Sequence, residues 1–105
     1  MTENEIKLKA IAALTALRGG AEEGFVSDLL GEVIPDQFVV PAGARAEEVG
    51  LSVLAQLSEP LSALLAGFIL AFDAVADAYD ETDAESTTEQ ILQHVALELA
   101  RDDSA

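Results

Sequence analysis

The chain contains no cysteine, one histidine and only 5 lysines and arginines among its 105 residues. Without cysteine there is no disulfide scaffold, no thiolate zinc site and no cysteine nucleophile, although the redox compartment stays open. His94 has neither a second histidine nor a cysteine to join it, so a zinc site of familiar type is ruled out and a helix-surface position is expected. No P-loop, GxGxxG or GxSxG pattern occurs, and no basic residue follows Gly19-Gly20 as phosphate binding would need. The reading is therefore not an enzyme, with no cofactor and no metal.

The shortage of cations narrows the partners. Binding nucleic acid or anionic lipid needs clustered Lys and Arg, and here Lys7, Lys9, Arg18, Arg45 and Arg101 are dispersed among 20 Asp and Glu, for a net charge of -15. Direct nucleic-acid binding is not expected. Most carboxylates lack an intramolecular cation, so their repulsion must be relieved by salt, counterions or a basic partner. Abundant acid with scarce lysine suits a halophilic, high-salt cytoplasm, while a high-GC genome would give the same composition.

Long apolar runs are also few. Half of the residues are hydrophobic and mean hydropathy is +0.30, which with this charge argues for a folded chain rather than a disordered one. The run Leu61 to Phe72 would measure about 18 Å as a helix, short of a hydrocarbon core of about 30 Å. Extending it back to Leu51 places Glu59 and Pro60 inside the span and leaves only Arg45 as a flanking cation. A membrane span is thus the less favoured use of this segment. The N-terminal MTENEIKLKA is polar and acidic before any apolar run, unlike a signal or transit peptide. A cytoplasmic location, or a place in an assembly built in the cytoplasm, is the expectation.

What is present is helical periodicity, and the expected class is all-α: one domain of four to five helices, bundled around a long central hydrophobic helix. Thr2 and Glu5 form a capping-box pattern, and Ile6, Ala10, Ala13, Leu14 and Leu17 recur at helical spacing before the Gly19-Gly20 stop. This predicts a helix over 3–18. Phe25, Val26, Leu29, Leu30 and Val33 predict a second over 22–33. The two prolines around Phe38-Val39-Val40 make 34–43 an extended connector. Helices over 44–58 and 60–80 follow, with Ser58 an N-cap candidate and Pro60 tolerated in a first turn; a single kinked helix is the alternative. Either Ser86 with Glu89 or Thr87 with Gln90 offers a capping box for a last helix over 87–101, whose Ile91, Leu92, Val95, Ala96 and Leu99 share one face, and Arg101 to Ala105 should fray.

In the central helix Leu61, Leu64, Leu65, Phe68, Phe72, Val75, Ala76 and Tyr79 follow 3 and 4 spacing. Ile69 and Leu70 make its other faces apolar, whereas Asp73, Asp77 and Asp80 line one face further on. The helix is expected to be buried nearly all round at its start and exposed on one side near its end. Two short flanking helices cannot cover so much apolar surface, so Leu61, Leu64, Leu65, Phe68, Phe72, Val75 and Tyr79 are the candidate assembly interface, completed by a homo-oligomer or a protein partner. A structural or interaction protein is the leading expectation: scaffold, adaptor or virion component. The alternatives are an acidic nucleic-acid mimic that presents Asp73, Asp77 and Asp80 to a basic site, and a small membrane-associated protein.

Overall fold

A computed structural model describes residues 1–104 and is all-helical, with no strand among the described residues. Four helices run in order: α1 (Glu3–Arg18), α2 (Glu23–Gly31), α3 (Ala46–Asp80) and α4 (Thr88–Ser104). The long central helix is α3, with 35 residues. Two compact units divide the chain, Met1–Ala71 and Phe72–Ala105, and α3 contributes to both.

In the first unit, local chemistry sets both ends of α1. Thr2 is extended, its hydroxyl accepts from the Glu5 N–H at 3.1 Å, and the Glu5 carboxylate accepts from the Thr2 N–H at 3.2 Å. At the other end Gly20 adopts φ 92, the Ala21 N–H reaches the Ala16 carbonyl at 2.9 Å and the Gly20 N–H reaches Leu17 at 3.2 Å. That is the Schellman pattern, and the positive φ is why glycine suits position 20.

The second helix ends at Gly31, two residues short of the expected 33. Val33 and Ile34 instead donate to Leu30 and Gly31, a tightened turn imposed by Pro35, which keeps the residue before it out of the helical region. The extended connector then has a partner that β-propensity alone did not suggest. The Val39 N–H donates to Gln56 Oε1 at 2.9 Å, and the Val39 carbonyl accepts from Gln56 Nε2 at 2.7 Å and from Ser52 Oγ at 3.1 Å. A side-chain amide of α3 thus takes the place of a neighbouring strand.

Helix 46–80 replaces the expected pair 44–58 and 60–80, so of the two alternatives at Pro60 the chain adopts the single helix. Ser58 is not an N-cap: its hydroxyl donates back to the Leu54 carbonyl at 2.9 Å, a bond made inside a continuing helix. Proline removes one backbone bond there, and the long helical runs on both sides carry the loss.

The core of this unit is built from small side chains. Ile6, Ala10, Ala13, Val26, Val33 and Ala63 are buried, with Leu64 packed beside them. A Cβ placed on Gly67 would lie 2.8 Å from Ala10 Cβ and 2.9 Å from Lys7 Cα, so α1 rests almost backbone to backbone on α3. Lys9 pairs with Glu32 and ties α1 to the end of α2.

In the second unit, α3 ends at Asp80 and α4 opens with its own cap. The Thr87 hydroxyl accepts from the Gln90 N–H at 3.2 Å and the Gln90 side chain accepts from the Thr87 N–H at 2.8 Å, the second of the two capping boxes considered. The helix runs to Ser104, three residues beyond the expected 101, with Arg101 in its last turn; Ala105, at the end of the stretch expected to fray, lies outside the described residues.

Candidate functional site

The interface residues expected from the sequence lie on one helix, and the rest of the chain covers only part of it. Small residues decide which part: Ala63 and Gly67 form the strip on which α1 sits, and they are the buried residues of α3. Leu64, Phe68 and Tyr79 are half-buried, whereas Leu61, Leu65, Phe72 and Val75 are exposed, Leu65 at 61% and Val75 at 69%. Ile69 and Leu70 are more than half exposed as well. Within one chain the start of the helix is thus not buried all round. A single helix resting on a two-residue strip of small side chains leaves most of the circumference uncovered.

By length and composition α3 is apolar enough to cross a membrane, with an 18-residue window of mean hydropathy 1.8. Its surroundings bear on that use. At Gly67, inside the apolar run, the backbone of Lys7 lies in contact, and the same helix α1 carries Glu3, Glu5 and Lys9.

The carboxylate row does not act as one group. Asp73, Asp77 and Asp80 are all exposed on α3, but Asp80 Oδ1 accepts from the Thr88 N–H at 2.8 Å and from the Thr88 hydroxyl at 2.9 Å. Asp80 therefore satisfies a first-turn donor of α4. Among the described residues no group of three His, Asp or Glu is placed to hold a metal ion. His94 is exposed on α4 and its Nε2 lies 3.0 Å from Glu98 Oε1, one helical turn away. The chain matches no family model, no curated protein and no solved structure.

An open groove of about 810 Å³ lies in the first unit between the start of α1 and the Pro60 region. Ile6, Val33 and Ala63 supply apolar lining, Glu3 and Glu59 carboxylates, and Ser62 a hydroxyl, with no histidine, lysine or arginine in the lining. Chemically it can accept hydrogen bonds and hold apolar groups. Asp80 belongs to the expected acidic face but serves α4 instead, and no motif in the sequence marks Gln56 or Gly67. Of these two, only Gly67 carried a signal, a lone glycine four residues after Ala63 in the strongest helical stretch, where a packing reason is the usual explanation.

Proposed function

We propose that this chain is a non-enzymatic structural or interaction protein that assembles through α3, as a homo-oligomer or as a small subunit of a larger complex. The observation that carries the reading is the uncovered apolar face of α3, including Leu61, Leu65, Ile69, Phe72 and Val75. Contiguous exposed apolar surface of this kind marks interaction sites in soluble proteins. Within such an assembly the chain is a scaffold, adaptor or virion component.

The membrane reading has one observation in its favour, the hydropathy of α3. Against it stands the seat of α1 at Gly67: a span that kept α1 in place would carry Glu3, Glu5, Lys7 and Lys9 toward the hydrocarbon core. The acidic-mimic reading is weakened by Asp80, whose carboxylate is already engaged by Thr88.

The test is Phe68→Asp, read by light scattering without detergent. A carboxylate forced into a protein interface without a partner costs several kcal/mol against a total stability of about 5–15. Assembly should be lost, or the fold with it. An unchanged mass and an unchanged helical spectrum would remove α3 from the assembly surface.

A further inference from the structure

The largely uncovered face of α3, on which only Phe68 and Tyr79 are half-buried, has a stricter period than an ordinary amphipathic helix. Positions 51, 54, 58, 61, 65, 68, 72, 75 and 79 alternate three and four apart through four heptads, and every one except Ser58 is apolar or aromatic. In heptad terms these are the a and d sites, the seam at which two helices meet knobs into holes. The stripe begins nearly three turns before Leu61, and its members Leu51 and Leu54 are 68% and 61% exposed. The α1 contact does not compete for it. Gly67 and Ala63 fall at c and f, on the opposite side of the helix.

Charge placement points to the occupant. From Gly50 to Asp80 the helix carries Glu59, Asp73, Asp77 and Asp80 as its only charged residues, and these fall at b, b, f and b. The e and g sites that border the seam hold only Gly, Ala, Ser, Leu or Ile. A basic partner would be met by acids along those borders, since e and g charges set partner choice. A chain of net charge -15 that meets its own copy needs a border without them.

We propose that the partner of α3 is α3 of another copy of this chain, paired along the 51–79 seam. The proposal rests on the assembly reading above and names its occupant.

The experiment compares the full chain with Leu65→Asp and Leu70→Asp by sedimentation equilibrium in high salt without detergent. Leu65 lies at a and Leu70 at f, and both are more than half exposed, so within one chain the two changes are alike and only the seam distinguishes them. The full chain and Leu70→Asp should both sediment at no less than twice 11.0 kDa, and Leu65→Asp should fall to the single-chain mass or unfold. Because the sequence has no cysteine, single cysteines provide a second readout that does not depend on destabilising the fold. Under oxidation at least one of Leu54→Cys, Leu61→Cys, Leu65→Cys and Val75→Cys should give a covalent dimer at micromolar concentration, and Leu70→Cys should not.

Equal effects of the two Asp changes, or crosslinking at Leu70 alone, would overturn the pairing. So would a full chain that sediments as one copy. If that single copy binds an apolar dye and Leu65→Asp abolishes the binding, the face serves a different protein and only the choice of occupant fails. If it binds none, the assembly reading fails too. A chain that is monodisperse only in detergent would assign the face to lipid and overturn the pairing.

Discussion

Replacing Gly67 by alanine sets two opposed effects against each other, and the sign of the outcome reports whether α1 lies on α3. In an uncrowded helix interior the change stabilises by about 1 kcal/mol, because alanine loses less backbone entropy than glycine. At Gly67 the new methyl group would lie 2.8 Å from Ala10 Cβ, 2.9 Å from Lys7 Cα and 3.0 Å from the Lys7 carbonyl oxygen. Carbon atoms pack best about 3.5–4.0 Å apart, and two of the three opposing atoms are backbone that no rotamer change can remove. Relief requires α1 to move as a body, and overpacking of this kind costs about 1–3 kcal/mol. Gly50 supplies the control, since it lies in the same helix with no atom within 4 Å of its added Cβ. The helix-propensity gain is common to both positions, so the two variants should differ by about the overpacking cost, 1–3 kcal/mol. Followed by circular dichroism, Gly50→Ala should raise the melting temperature by about 4–8 °C, and Gly67→Ala should leave it level or lower it by up to about twice that. Equal rises in both variants would refute the seat of α1 on α3, and with it the assignment of the opposite face as the open one.

Gln56→Ala should remove two of the three side-chain hydrogen bonds to Val39, leaving the one from Ser52, with amide exchange at Val39 accelerating and a loss of about 0.5–1.5 kcal/mol for each bond; unchanged exchange would show that the connector is held by something else. Asp80→Ala removes the acceptor for two Thr88 donors and should cost about 0.5–2 kcal/mol, read as lost helicity in α4. Salt should stabilise the fold, because three ion pairs engage Lys7, Lys9 and Arg45 and most of the 20 carboxylates stay unmatched. The melting temperature should rise as the Debye length falls from about 10 Å to about 3 Å between 0.1 M and 1 M salt, and a flat response would mean that a bound partner or ion already compensates the charge.

The parts of the fold that were legible in the sequence are those decided within a few residues. Thr2 with Glu5, Gly19-Gly20 and Thr87 with Gln90 each close hydrogen bonds inside one turn, so spacing gives the ends of α1 and narrows the start of α4 to two adjacent capping boxes. Pro60 was the local signal that misled: Ser58-Glu59-Pro60 reads as a helix start, yet Ser58 bonds back to Leu54 and the helix runs through. The connector's partner lies 17 residues away at Gln56, a pairing that no local pattern announces. Asp80 was grouped with Asp73 and Asp77 because the three share a helical face, whereas its function depends on Thr88, brought back by the turn that follows. The apolar stripe itself was plain. Which side of it α1 would take was not, because that choice rests on Gly67 and Ala10 allowing a close backbone approach, and the absence of a side chain leaves little pattern to read.

In the assembly proposed above, the face of α3 opposite Gly67 is covered by protein. Sedimentation equilibrium of the full chain in high salt without detergent, over a series of dilutions, tests it most directly. The expected result is a mass of at least twice 11.0 kDa that falls only on dilution, together with the loss of helical signal. A mass of 11.0 kDa at every concentration, with a sharp thermal transition and no binding of apolar dye, would contradict it.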